Sequence, residues 1–141
     1  MLRSIHQALR AGAISRRVFS SSSTALRPAL LQRAASFGDR PAIHHPVGSG
    51  PARTSFRYSD LLHHSSRVRA ALLSALPEAQ QYQCLEGHRV VFLIEPSFDW
   101  AATHLAIWQA GGVSVPLHIG QTLPEAEYVL TDSKAAAFVV S

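Results

Sequence analysis

The chain has 141 residues, of which 47% are hydrophobic and 16% charged, so it can form the core of one domain or of part of a larger one. The net charge of +4 is unevenly distributed: residues 1–38 hold six arginines and no acid, whereas residues 39–141 hold seven basic and nine acidic residues. Because the basic excess lies outside the predicted folded part, we exclude a nucleic-acid partner. No stretch approaches the roughly 18 apolar residues of a membrane span, so no integral membrane segment is expected.

Residues 1–19 have the composition of a mitochondrial transit peptide. They are rich in arginine, free of acids, and able to form an amphipathic helix with Leu2, Ile5 and Leu9 along one side. Arg17 stands at the third position before a cut after Phe19, as in matrix processing sites. We therefore predict a transit peptide at 1–19, a disordered linker at 20–25 and a mitochondrial matrix location. The alternative is a disordered basic tail.

The next elements are predicted to be a helix, a β-hairpin and a second helix. Apolar residues at helical spacing between Ala25 and Phe37 predict the first helix, which Gly38 ends. Two short strands at 41–45 and 54–58 are joined by a loop rich in Gly and Pro, which favours a hairpin. Ser59 is predicted to cap a helix that runs to about residue 76. Its inward-facing residues are predicted to be Leu61, Leu62, Val68, Leu72 and Leu73. Residues 77–87 are predicted to be a polar connection.

Residues 89–141 read as strand, helix, strand, helix, strand. The apolar run 89–94 is typical of a strand buried on both faces of a parallel sheet. Ser97 is predicted to cap the following helix, and Gly111 and Gly112 to end it. Residues 113–116 form the next predicted strand. Thr122 and Glu125 form a capping box for a helix to about residue 132, and residues 136–140 form the last strand. The predicted fold class is α/β, an incomplete wound sheet in a βαβαβ run. The inward stripe of its first helix is predicted to be Phe98, Ala101, Ala102, Leu105 and Trp108.

Several groups of residues invite a functional interpretation, but a structural one is simpler. The Gly48–Gly50 stretch has no Lys and no following helix, as a phosphate-binding loop would need. The pairs His44–His45 and His63–His64 cannot chelate one ion, because strand neighbours face opposite sides and helix neighbours lie about 100° apart. Glu95 and Asp99 are predicted to be favourable charges at a helix start rather than an acid–base pair.

Three further residues receive structural interpretations. His104 is predicted to be a packed or surface histidine within its helix. The single Cys84 cannot form an intrachain disulfide, which agrees with a reducing compartment, and it is read as an inert loop thiol. Nothing in the sequence gives Lys134 a role. A dinucleotide-binding fold is disfavoured, because no glycine fingerprint follows a predicted strand.

Four segments together resemble the opening of the adenylate-forming (AMP-binding) superfamily, which includes acyl-CoA synthetases, luciferases and peptide-synthetase adenylation domains. They are Phe37–Ile43, Phe56–Leu61, Ala106–Leu117 and Leu123–Ser133, in the family's order and spacing. The resemblance covers residues 26–141, which are therefore expected to be the N-terminal, truncated part of the synthetase domain. The sequence of Trp108–Leu117, together with the predicted transit peptide, is most similar to the malonate-activating acyl-CoA synthetases.

The resemblance implies a two-step ligase that uses ATP, Mg and CoA on a small-molecule carboxylic acid. It also implies a phosphate loop ending in Lys, a Thr–Glu motif, a ribose-binding Asp and a mobile C-terminal Lys, all downstream of the family's opening. None occurs in these 141 residues. We therefore assign no catalytic, cofactor-binding or metal residue, expect no cofactor to bind this chain, and predict that it is inactive alone.

Two other interpretations remain open. A dicarboxylate specialist needs a cationic group for the second carboxylate. The arginines at 40, 53, 57, 67, 69 and 89 are predicted to lie on surface loops and helix faces, so the cationic group is expected outside this chain. If the protein has no such group, the alternative is a medium-chain fatty acyl-CoA synthetase. The other alternative is a non-catalytic interaction module that retains the opening of the fold. An in-frame phosphate loop downstream in the transcript would distinguish the enzyme from the module.

Overall fold

The computed structural model describes residues 29–46 and 53–141, and the predicted transit peptide, linker and Gly48–Gly50 loop lie outside these ranges. The described elements follow the predicted order, with one additional short helix. In chain order they are α1 (Ala29–Ser36), β1 (Pro41–Pro46), β2 (Arg53–Arg57), α2 (Tyr58–Ala75), α3 (Pro77–Tyr82), β3 (Arg89–Leu93), α4 (Phe98–Gln109), β4 (Val113–Pro116), α5 (Leu123–Asp132) and β5 (Ala137–Val140).

The sheet at the centre of the structure has the strand order β4-β3-β5, and both pairings are parallel. Val91 of β3 lies opposite Val115 of β4 and Phe138 of β5. Since β4 and β5 lie on opposite sides of β3, right-handed crossovers place α4 and α5 on opposite faces of the sheet. The predicted α/β fold with a wound βαβαβ sheet is confirmed.

Alternate residues of β3 point into two separate clusters. Val90 and Phe92 pack into the cluster that contains residues of α2 and α4. Val91 packs with Leu130 of α5 and Leu117 on the other face. All three β3 side chains have no solvent exposure, which explains why this strand reads as an unbroken apolar run.

The hairpin and α2 brace one side of the sheet. β1 and β2 pair antiparallel, as predicted, and Phe56 of β2 stacks on Phe98 at the start of α4 with ring centroids 4.2 Å apart. α2 packs along α4, where the Gln109 amide Nε2 donates a hydrogen bond of 2.9 Å to the fully buried Ser65 hydroxyl. These contacts hold the start and the end of α4.

The predicted N-caps of α4 and α5 are confirmed. Ser97 Oγ accepts a hydrogen bond of 3.3 Å from the backbone N–H of Trp100. Glu125 Oε2 accepts one of 2.8 Å from the backbone N–H of Thr122. After α4 the chain reverses at Gly111, whose φ of +74° favours glycine.

Three details of the prediction are wrong. The connection at 77–87 contains helix α3 and buries Ala79 and Leu85, so it is not merely polar. The N-cap of α2 is Arg57 and not the predicted Ser59, so the helix begins two residues early, because Asp60 Oδ2 accepts a hydrogen bond of 2.8 Å from the backbone N–H of Arg57. The inward stripe of α4 is rotated: Trp108 is 38% exposed, and the buried residues within the helix are Ala102, Thr103, Ala106 and Ile107.

Two arginines predicted to lie on the surface instead bind carbonyl oxygens near helix ends. Arg69 donates from Nε to the Gln109 carbonyl at 3.2 Å, at the end of α4. Arg89 donates from Nε to the Ser133 carbonyl at 2.6 Å, just after α5. A cation at a helix C-terminus complements the carbonyls that lack a partner there. Within 29–46 and 53–141, no helix combines the length and the apolar character that crossing a membrane requires.

Candidate functional site

A cleft of about 500 Å³ opens at the carboxyl ends of β3 and β5. The chain leaves β3 toward β4 on one side, while β5 lies on the other side, so this edge is a topological switch point. Open α/β sheets bind their ligands in the crevice that forms at such a point. The cleft is therefore the candidate functional site within the described part of the chain.

Nine residues from four parts of the chain line the cleft. The apolar wall combines the end of β3, the segment after β4 and the end of β5, and consists of Leu93, Ile94, Ile119 and Val140. The remaining lining comes from β1, the β3–α4 loop and the residue after β5, and consists of His45, Glu95, Pro96, Ser97 and Ser141.

The cleft lining holds no Arg or Lys side chain that could bind an anion. Glu95 is the one Asp, Glu, Lys or Arg side chain in the lining, and it is exposed. The Ser97 hydroxyl accepts the capping bond from Trp100, and its own hydrogen remains a neutral donor. A phosphate or a second carboxylate would meet a negative side chain with no Arg or Lys to offset the cost of desolvation. The lining instead fits an apolar group.

Beside the cleft, the first turn of α4 is tied to α2. Asp99 Oδ1 lies 3.3 Å from His64 Nε2, and the His64 ring packs edge-on against Phe98 with centroids 5.4 Å apart. Asp99 thus lies at the positive end of the helix, where it was predicted. Both members of the pair are partly exposed, so solvent screens their attraction.

Metal ligation is the other function considered for the histidines. Within 29–46 and 53–141, no three His, Cys, Asp or Glu side chains are grouped so that they could hold a metal ion. That no catalytic or cofactor-binding residue lies in the chain stays a prediction.

The cleft was not predicted from the sequence, although a signal for it was present. His45 and Glu95 were considered separately, as a possible ligand and as a helix charge. Glu95 and Ser97, which come shortly after β3, mark the edge where the parallel strands end. The switch-point rule identifies this loop only when the strand order is known, and the sequence did not give that order.

A wound parallel sheet with a crevice at its switch point is typical of α/β proteins that bind a ligand at that crevice. The chain belongs to the AMP-binding enzyme family, whose match covers residues 30–141. A CoA ligase from Gibberella moniliformis (strain M3125 / FGSC 7600) is 31% identical over 87 residues, which are 62% of this chain and 14% of that protein.

Solved structures match the fold. NpsA of Klebsiella oxytoca in complex with 3-hydroxyanthranilyl-AMSN has a TM-score of 0.63 and 21% identity, and the match covers 81% of this chain and 21% of that chain. Apo MatB from Rhodopseudomonas palustris has a TM-score of 0.61 and 26% identity, covering 79% of this chain and 21% of that chain. The predicted adenylate-forming, CoA-ligase-type relationship is confirmed. The chain spans 14% to 21% of the length of these three proteins.

Proposed function

We propose that this chain is the opening part of an ATP-dependent acyl-CoA synthetase that activates malonate or methylmalonate in the mitochondrial matrix. The observation that carries the ligase class is the family match across residues 30–141. The proposed substrate rests on the sequence of Trp108–Leu117. The proposed location rests on residues 1–19, which are rich in arginine and contain no Asp or Glu.

The proposed reaction has two steps. A carboxylate oxygen of the acid attacks the α-phosphorus of ATP. The bond between this phosphorus and the oxygen that bridges it to the β-phosphate breaks. Pyrophosphate departs with the bonding electrons, and the product is an acyl-adenylate. The CoA thiolate then attacks the acyl carbon and AMP leaves with the electron pair. Stabilising the charge on the transferring phosphoryl group requires cationic groups, and the cleft lining has no Arg or Lys side chain. Those groups, and the ligands of magnesium, are expected outside residues 29–141.

A medium-chain fatty acyl-CoA synthetase is the second candidate, and the cleft favours it. Its wall of Leu93, Ile94, Ile119 and Val140 suits an alkyl chain, whereas Glu95 would repel the second carboxylate of malonate. For malonate to be the substrate, its second carboxylate must bind elsewhere in the protein, beside a cationic group.

Pyrophosphate release by the full-length protein distinguishes these candidates. Malonate or methylmalonate should support release with ATP and CoA, and octanoate should support little. Activity with octanoate and none with malonate would refute the proposed substrate and leave the ligase class standing. Full-length protein that releases pyrophosphate with none of the acids would favour the non-catalytic interaction module. The 141-residue chain should be inactive in the same assay.

The proposed location has its own test. N-terminal sequencing of the protein recovered from mitochondria should begin at or near Ser20, because Arg17 stands three positions before the expected cut. An intact Met1 on matrix protein would contradict the processing site. Absence from mitochondria would refute the location.

A further inference from the structure

His104 ties helix α4 to the edge strand β4. Its Nε2 lies 2.9 Å from the Ser114 hydroxyl of β4. The Trp108 indole Nε1, one turn further along α4, donates to the same hydroxyl oxygen at 3.1 Å. The Ser114 hydroxyl therefore forms hydrogen bonds with two side chains of α4, and these bonds connect α4 to β4.

The imidazole of His104 is enclosed by aromatic rings. Its centroid lies 4.5 Å from Trp108, 5.0 Å from Trp100 and 5.8 Å from Phe92. The second ring nitrogen, Nδ1, is buried in this enclosure and has no hydrogen-bond partner among the described residues. An unpaired buried nitrogen is uncommon in proteins, so it requires an explanation.

The protonation states of His104 differ in what they demand of this enclosure. In the neutral imidazole, Nε2 bonds with Ser114 in either tautomer, and the cost is one unpaired neutral Nδ1. In the imidazolium both nitrogens carry hydrogen. Ser114 can accept from Trp108 and Nε2 together, but the charged Nδ1–H has no acceptor, which is more costly than a neutral unpaired group. Burial accordingly lowers the pKa of His104 below its ordinary value of 6.5.

Among the residues that the structure describes, no charged group offsets that cost, and burial is the cause of the lowered pKa of His104. The side chains that contact the ring, those of Phe92, Trp100, Trp108 and Ser114, do not titrate in the physiological range. Strand β4 carries no charged residue.

Three of the charged side chains on the elements around His104 have other partners. Asp99 of α4 pairs with His64 of α2. Arg69 of α2 binds the carbonyls of Gln83 and Gln109. Arg89 of β3 binds the carbonyls of Ser133 and Lys134.

We propose that His104 is a proton-sensitive latch, which holds α4 on β4 while its imidazole is neutral and releases this contact when it is protonated. The released state lets Nδ1–H reach water, which removes the cost of the unpaired charge. Because protonation is harder in the docked state, docking is unaffected at high pH and weakens as the pH falls below 6.5.

The chain carries its own probe of the latch. Its two tryptophans are Trp100 and Trp108, and both rings contact His104, so the fluorescence of the 141-residue chain reports on this site. Between about pH 8 and about pH 5, the intensity and emission maximum of the wild-type chain should change with a midpoint below 6.5. In His104→Gln, whose amide can still bond with Ser114, that change should disappear.

Two further variants test the assignment of the change to His104. His63→Gln removes an exposed histidine of α2 and should leave the wild-type fluorescence profile unchanged. Ser114→Ala keeps the imidazole and its aromatic enclosure but weakens docking, so its midpoint should move to higher pH. Ser114→Ala also provides the test if His104→Gln does not fold. A profile that persists in His104→Gln, or that is identical in Ser114→Ala and the wild type, would overturn the proposal.

Discussion

The two faces of the parallel sheet are packed to different depths. On the face that receives Val90 and Phe92, ten buried residues of the described part of the chain form one cluster drawn from α2, α3, α4, β3 and their connections. On the face that receives Val91, the corresponding cluster has four buried residues. The same strand therefore borders a deep core on one side and a shallow one on the other.

The difference follows from what lies behind each covering helix. α4 is backed by α2, and the Ser65–Gln109 hydrogen bond joins the two helices within the protein interior. α5 forms the outer layer of the described structure on its face, where Tyr128 is 69% exposed and Leu123 is 43% exposed. A strand residue with no solvent exposure can therefore lie under one layer of helix or under two. How much a cavity at that residue destabilises the protein depends on whether the covering helix can move to fill it.

The largest expected effect is that of Phe92→Ala on the deep face. The ring is fully buried and packs edge-on against Trp100 and His104. Its loss should reduce the free energy of unfolding by about 3–5 kcal/mol, measured by urea denaturation. Phe138→Ala, at a half-buried position in the shallow cluster, is the control and should cost clearly less. Equal losses would contradict the difference between the faces.

The second effect tests how tightly the deep face is filled. A Cβ at Gly112 would lie 2.6 Å from Leu85 Cδ1 and 3.1 Å from the backbone oxygen of His88. Gly112→Ala should therefore destabilise the protein by about 1–3 kcal/mol, because neither neighbour can move freely. The measurement is thermal unfolding by circular dichroism. At Gly38 a Cβ meets only the Ala35 oxygen at 4.0 Å, so Gly38→Ala should change stability by less than about 0.5 kcal/mol.

A matched pair of substitutions compares the faces directly. Val90→Ala and Val91→Ala remove the same atoms from adjacent, fully buried positions of β3. Each loses about 1.6 kcal/mol of burial, at about 0.8 kcal/mol per carbon. Val90→Ala should cost up to about 1 kcal/mol more, because helices in two layers cannot close the cavity. Urea denaturation of both variants measures the difference. A larger loss in Val91→Ala would reverse the interpretation.

The smallest effect concerns the start of α5 on the shallow face. The backbone and side-chain hydrogen bonds from Thr122 lower the pKa of Glu125 from its ordinary value of 4.5. This carboxylate therefore contributes stability that is present above 4.5 and is lost as the pH falls through the folded-state pKa.

In Glu125→Gln, the melting temperature should fall slightly at neutral pH and vary less between about pH 5 and about pH 3 than in the wild type. Glu127→Gln, on the same helix without a bond to Thr122, is the control and should keep the wild-type acid dependence. An unchanged acid profile in Glu125→Gln would show that the cap does not contribute to stability.

Helix α4 illustrates where sequence-based prediction failed. Its bounds and its Ser97 cap were predicted correctly, because capping and termination depend on neighbouring residues. Its buried face was predicted incorrectly, because the helix is apolar on most sides and several stripes satisfy helical spacing. Packing between α2 and the sheet selected the face of Ala102 and Ala106 and left Trp108 partly exposed beside β4.

The candidate cleft and the latch show the same division. The order of elements, the parallel direction of the strands and the N-caps of α4 and α5 follow from local patterns, and the sequence determined them. The strand order β4-β3-β5 and the meeting of His45 with Glu95, or of His104 with Ser114, depend on contacts between residues far apart in the chain. Only the tertiary structure decided these, because spacing along the chain carries no information on which distant side chains share one site.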